Sequence, residues 1–243
     1  MGTRNDNIAH WTRAAQDYRE ALNKTDLCRI YMPAVYSLLG PLRGKQLLDA
    51  GCGDGRFSQQ MAKRGASVTA IDGAASFIEI AKTVSPHNRV RYELADLTRK
   101  LPFTNGYFDI VLANMVLMDL PKLDRAVREF SRILRPGGKF VFSIVHPCYF
   151  SFDWKCRGRN RLFKMVDDYF TPRTLVLDFW GRTLHFHRPL SVYTRLLAKN
   201  NFCIAGLLEP RPTQRMLHVH PDWEHHARVP SFLIVSAIRS TEN

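Results

Sequence analysis

Residues 48–57 read Leu48-Asp49-Ala50-Gly51-Cys52-Gly53-Asp54-Gly55-Arg56-Phe57. The short apolar run Gln46–Ala50 predicts a buried strand, and Phe57–Arg64 predicts a helix that stops at Gly65. Between them lie three glycines at alternate positions. Glycine belongs where a backbone turns sharply or must touch a ligand. The helix start behind the glycines turns free N–H groups and a positive dipole end toward an anionic group. A second strand, Ser67–Ile71, runs into Asp72, about 20 residues past Gly51, where a carboxylate can accept both hydroxyls of a ribose. The pattern is G-x-G-x-G, not the G-x-G-x-x-G of pyrophosphate sites, and Asp49 stands just before the first glycine. A carboxylate there repels a pyrophosphate and suits an ammonium. No G-K-[ST] follows, which excludes a P-loop.

Outward from this loop, strands alternate with helices. Helices are expected at Ala74–Thr83 and Lys122–Arg135, and further strands at Val90–Leu94, Phe108–Ala113 and Lys139–Val145. Nearly continuous apolar strands between helices argue for a parallel sheet covered on both faces. Residues 7–39 have helical spacing, with Pro33 expected to start a second helix or kink the first. After Val145 the rhythm breaks. Residues 147–187 are aromatic and basic, with a hairpin expected at Thr174–His187. A helix at Ser191–Asn200 and strands at Phe202–Leu208 and Phe232–Ile238 close the chain.

The whole is expected to be one domain of 243 residues. Residues 1–43 are expected to form an N-terminal helical cap, 44–146 a cofactor-binding core, 147–187 a lid insertion, and 188–243 the C-terminal part of the sheet. The fold class is α/β, a Rossmann-like, doubly wound, mostly parallel sheet of seven strands with helices on both faces.

Composition narrows the classes of function. Hydrophobic residues are 45% and charged residues 23%, which excludes global disorder. The longest apolar run, residues 110–120, is broken by Asn114 and Asp119 and falls well short of the ~20 residues of a membrane span. With no apolar leader at the N-terminus, the expected setting is soluble and cytoplasmic. A net charge of +13 admits nucleic acid or an anionic small molecule as partner. The local basic run Lys155, Arg157, Arg159, Arg161 and Lys164 reads either as a solvated loop or as an anion-binding patch. Five scattered cysteines contain no C-x-x-C pair and read as reduced thiols, and the nine histidines show no zinc spacing, so no metal is expected.

The segments LDAGCGDG, VTAID, ELADL, FDIVLANMVLMDL and ILRPGG running into KFVFSI together resemble the class I S-adenosylmethionine-dependent methyltransferases, of the methyltransferase type 11 kind. The resemblance is close over residues 44–146 and looser through HRPLSVYTRLLAKNNF and PSFLIVSAIR. It implies a methyl donor, S-adenosylmethionine, with S-adenosylhomocysteine as product. It places Gly51, Cys52 and Gly53 against the methionine part and Asp49 near its ammonium. Asp72 then takes the ribose hydroxyls beside Gly73, and Asp96 and Leu97 take the adenine. Asn114, Met115 and Met118 follow the fourth strand into the crevice, and Tyr18 closes over the donor from the N-terminal helix. Met115 and Met118 fit the core equally well.

The acceptor is less legible. His146, at the end of the fifth strand, is the candidate base. Trp11, Tyr149, Phe150, Tyr169, Trp180, His187 and Arg188 are the candidate acceptor pocket, and an aromatic box with one arginine suits a flat, partly anionic metabolite. HPCYF, DDYF, FHRPLS and P-x-FL resemble a subgroup that methylates small molecules, as in secondary metabolism, so the expected activity is O- or N-methylation by in-line displacement. An RNA or protein methyltransferase is the alternative that the charge favours. It lacks the Asn-Pro-Pro-aromatic motif of base-amine methylation after the fourth strand. A cofactor-binding regulator and a nicotinamide oxidoreductase are the remaining classes. The assembly is expected to be a monomer or homodimer, away from membranes.

Overall fold

The fold is a seven-stranded sheet between helical layers, seen in a computed structural model that describes residues 6–149, 152–158 and 160–241. Its first five strands are β1 (Gln46–Ala50), β2 (Ser67–Asp72), β3 (Val90–Leu94), β4 (Phe108–Asn114) and β5 (Leu134–Val145). They pair in parallel in the order 5-4-1-2-3. The chain moves to one side of β1 and then returns to the other, so a crevice opens at the C-terminal ends of β1 and β4. Two small antiparallel hairpins follow β5: β6 (Trp154–Arg157) with β7 (Asn160–Lys164), and β8 (Arg173–Leu177) with β9 (Thr183–His187). The sheet is completed by β10 (Phe202–Leu208) and β11 (Phe232–Arg239). The strand β11 inserts antiparallel between β5 and β10.

The helices are α1 (Asp6–Lys24), α2 (Cys28–Leu39), α3 (Arg56–Lys63), α4 (Ala75–Val84), α5 (Leu123–Ile133), α6 (Leu190–Lys199), α7 (Gln214–Val219) and α8 (Glu224–Arg228). Both sheet faces are dry. One packs Phe108, Phe130, Phe140 and Phe142 with α5 and α6. The other packs Leu47, Val68 and Ile110 with α2, α3 and α4. Among the described residues no helix is long and apolar enough to cross a membrane.

Three boundaries differ from the expectation. The N-terminal helix breaks at residues 25–27, where Thr25 Oγ1 accepts from Leu27 N and Asp26 O from Arg29 N, and not at Pro33. Pro33 lies inside α2, and the carbonyl it deprives, that of exposed Arg29, can be met by water. Next, α5 ends at Ile133 and β5 begins at Leu134, which pairs with Phe108. Pro136-Gly137-Gly138 is taken up as an irregularity within the β4–β5 pair. Finally, the first hairpin and the helices α7 and α8 were not anticipated, being too short to show a period.

Candidate active site

One cavity of about 610 Å³ opens at the crevice between β1 and β4. Its floor is the glycine loop. Gly51 has φ +79°, and a Cβ there would sit 2.5 Å from Val116 Cγ2 and 2.8 Å from Val116 Cβ. Gly55 has φ +76° and leaves no room either, since a Cβ would meet the Tyr92 hydroxyl at 2.6 Å. Gly51 N and Cys52 N both donate to Ile71 O, at 2.8 and 3.0 Å, which ties the loop to the end of β2.

Two carboxylates flank this cradle, Asp49 buried and Asp72 half-buried. Asp49 accepts from Ser58 Oγ at 2.5 Å; burial pushes its pKa up to about 6, and the Asp72 charge adds to the rise. Asp72 receives Gly53 N at 3.0 Å and Ala74 N at 2.9 Å. Burial raises its pKa despite these backbone donors. A carboxylate has about four acceptor sites, so the two bonds leave capacity for hydroxyls. Asp96 is more committed: Oδ1 takes Thr98 N at 2.8 Å and Thr98 Oγ1 at 2.7 Å, and Oδ2 lies 3.5 Å from Arg99. Asp96 and Leu97 both line the cavity.

The segment after β4 forms the opposite wall. Asn114 accepts from Ser143 Oγ at 2.6 Å. Met115 is a non-glycine residue at φ +55°, with its N–H shared between Ser143 O and Oγ at 3.0 and 3.1 Å. Such backbone strain concentrates at binding sites. The one-turn helix at residues 117–119 then turns Asp119 toward the cavity and Met118 into the core. Met118 is thus a packing residue and not part of the cavity wall. Burial holds the Asp119 carboxyl well above the usual carboxylate range.

The roof is α1. Asn7 donates to Asp119 O at 2.8 Å and to Leu184 O at 2.9 Å, and accepts from Leu184 N at 2.9 Å. This clasp pins α1 to β9 and to the wall below. Ile8 then closes the space at Gly73, where a Cβ would meet Ile8 Cδ1 at 2.9 Å. Trp11, Tyr18, Phe77 and Trp180 form one ring cluster in the cavity wall, with Trp180 5.0 Å from Tyr18 and 6.2 Å from Trp11. The Trp180 indole N–H is buried and has no partner among the described residues, so it is a donor available to a ligand.

The structure corrects the acceptor residues most. His146 lies outside the cavity wall with both ring nitrogens engaged. Its Nδ1 accepts from Cys148 N at 3.2 Å, and its Nε2 faces Glu209 Oε1 at 3.0 Å. It has no free nitrogen with which to take a proton from an acceptor. The His146→Ala protein should bind S-adenosylhomocysteine with unchanged affinity while losing about 1–2 kcal/mol of stability, read by calorimetry and thermal melting. Tyr169, His187 and Arg188 are also outside the wall. The Tyr169 hydroxyl accepts from Leu190 N at 2.9 Å, and His187 Nε2 meets Tyr169 O at 2.8 Å. Arg188 donates to Leu120 O at 2.5 Å and lies over the Phe186 ring, so it clasps the segment after β4. Tyr149 does line the cavity; Phe150 lies outside the described residues.

In place of those residues the far wall carries Arg161, Trp223, His225, His226, Ser231 and Phe232. The His225-His226 doublet and the basic run were visible in the sequence, without a signal that joined them. Asp54 and Arg56, ion-paired at 2.5 Å, and Asp119 were missed although they stand inside the quoted motifs. Among the described residues no group of three His, Cys, Asp or Glu side chains could hold a metal ion.

Comparison with known proteins agrees with this geometry. The family described as "Methyltransferase domain" matches residues 48–142. The crystal structure of an S-adenosylmethionine dependent methyltransferase from Mesorhizobium loti is 28% identical, with a TM-score of 0.79 over 86% of this chain and 98% of that one. Ubiquinone biosynthesis O-methyltransferase from Coxiella burnetii is 26% identical over 66% of this chain and 70% of its own. Malonyl-(acyl-carrier protein) O-methyltransferase from Erwinia billingiae is 34% identical over 55% of this chain and 51% of its own. The chain is a class I S-adenosylmethionine-dependent methyltransferase. The close-fitting glycine cradle, the carboxylates beside it and the unpaired indole N–H fit that donor.

Proposed function

We propose that the protein transfers the donor methyl group to an oxygen or nitrogen of a small, flat acceptor bound in the same cavity. The observation that carries this is the continuity of the cavity. The glycine cradle at one end and a wall of Tyr149, Trp223, His225, His226 and Phe232 at the other line a single space. In this proposal residues 1–43 cap the cavity, 44–146 hold the donor and 147–187 form a lid. Residues 188–243 complete the sheet and add the histidine doublet. The protein works as a monomer or homodimer, and five unpaired cysteines accord with a cytoplasmic setting.

S-adenosylmethionine supplies a methyl group on a sulfonium, electrophilic without further activation. The chain's residues bind and orient. Asp49 faces the ammonium, Asp72 the ribose, and Asp96 with Leu97 the adenine, while α1 excludes water from above. At the acceptor end the two imidazoles of the wall are His225 and His226. Burial lowers the pKa of His225 and pushes that of His226 down to about 3. Rate enhancement comes from holding nucleophile, methyl and sulfur in line.

Incubation with a tritium-labelled methyl donor and a cell extract tests the class of acceptor. Label is expected in the small-molecule fraction. Label on RNA, falling steeply with added salt, would favour a macromolecular acceptor instead. The Asp72→Ala protein should bind S-adenosylhomocysteine about 1.5–3 kcal/mol more weakly, the range for losing a hydrogen-bonded charged partner. Calorimetry showing unchanged affinity would remove Asp72 from the ribose.

A further inference from the structure

We propose that the acceptor is a monoanion of the aromatic carboxylate class and that Arg161, at the mouth of the cavity, binds its charge. This rests on the methyl-transfer function proposed above and adds the charge of the acceptor to it.

Arg161 belongs to β7, is exposed, and also lines the cavity, so its guanidinium stands at the rim. It donates through Nη1 to His225 Nε2. A guanidinium has no lone pair to offer, so His225 Nε2 is the acceptor and carries no proton. The other ring nitrogen, Nδ1, then donates to Asp222 O at 2.8 Å. Both hydrogen bonds define one neutral tautomer, and together they fix the guanidinium in place with a neutral partner. Among the described residues Arg161 forms no ion pair; Asp222, in the same wall, contributes its carbonyl and makes no salt bridge to it.

This leaves a positive charge facing the cavity without a counter-ion. Lys164 is outside the cavity wall, with Nζ 4.9 Å from the Tyr149 ring centroid and 5.1 Å from that of Trp154. After burial, the Arg161 charge is among the causes that hold His225 and His226 neutral. A planar guanidinium with one Nη engaged still offers N–H donors in the geometry that suits a carboxylate. One guanidinium matches a single negative charge better than a phosphate dianion.

The shape of the wall selects a flat body. Tyr149 stacks on His226 at 5.5 Å and on His225 at 6.3 Å, with interplanar angles of 26° and 18°. The three rings present one aromatic surface beside the rim. His226 Nδ1 is engaged by Ser231 Oγ at 2.5 Å, and its Nε2 has no hydrogen-bond partner among the described residues. That nitrogen can meet a second polar group on the acceptor ring.

Calorimetry on protein saturated with S-adenosylhomocysteine tests the proposal, with 3,4-dihydroxybenzoate and its uncharged methyl ester as probes. The acid should bind at least about tenfold more tightly than the ester, as expected for a charge-assisted contact. In Arg161→Gln this preference should vanish, and in Arg161→Lys part of it should return. Melting temperature and S-adenosylhomocysteine affinity should stay as in the wild type, which shows that the variants are folded. Equal binding of acid and ester, a preference that survives in Arg161→Gln, or no binding of the acid would each overturn the proposal. Failure of the wild type to bind S-adenosylhomocysteine would instead sink the methyl-transfer function, and the proposal with it.

Discussion

The Gly51→Ala protein is expected to bind S-adenosylhomocysteine at least about tenfold more weakly than the wild type and to melt several degrees lower. Two independent costs produce this. At φ +79° a side chain is strained by about 1–2 kcal/mol. The added methyl would also sit 2.5 Å from Val116 Cγ2 and 2.8 Å from Val116 Cβ. Rotating Val116 relieves the first overlap and not the second, because Cβ moves only with the backbone. That backbone continues from Met115, itself held in a left-handed conformation by Ser143. The wall opposite the cradle must therefore shift, and donor binding falls with it. Unchanged affinity in calorimetry would show that the cradle is not where the donor lies.

The Asp49→Asn protein should become more stable while binding the donor product less well. Asp49 is fully buried, and its folded pKa of about 6 lies above the ordinary value of 3.8. As pH rises from about 4 to about 6, the unfolded chain releases this proton and the folded chain keeps it. Stability is therefore highest below that window, falls across it, and stays low above it. A shift of about two units corresponds to roughly 3 kcal/mol. An asparagine has the same shape, can still accept from Ser58, and carries no charge to bury. At pH 8 its melting temperature should exceed that of the wild type by several degrees. For ligand binding the sign reverses: the ionised carboxylate attracts an ammonium and the protonated form does not. Wild-type affinity for S-adenosylhomocysteine should rise with pH through about 6 and level off. The variant should be flat across this range and about tenfold weaker at pH 8. A pH-independent wild type would place the ammonium elsewhere.

The part of the cavity around the glycine loop was legible because it is local in sequence. The turn 51–55, Asp72 at the end of β2, Asp96 and Leu97 after β3, and Asn114 and Met115 after β4 each sit at a strand end. Apolar strands with helices between them were enough to place those ends along one crevice. Met118 shows the limit of that logic, since one tight turn of three residues decided that it packs inward while Asp119 lines the cavity. His146 shows another. Its position at the end of β5 was right, and its partners Glu209 and Cys148, which occupy both its nitrogens, carried no motif.

The sequence by itself determined the sheet, the glycine cradle and the carboxylates beside it, because periodicity and glycine placement are properties of contiguous residues. Tertiary structure decided the far wall of the cavity. The antiparallel strand β11 aligns Phe232 with Val145, and His146 N donates to Ser231 O at 2.8 Å. The chain just before β11 and the chain just after β5 therefore leave the sheet at the same end of the strands. Tyr149, Arg161, His225 and His226 meet there because of that pairing, and no spacing along the chain records it.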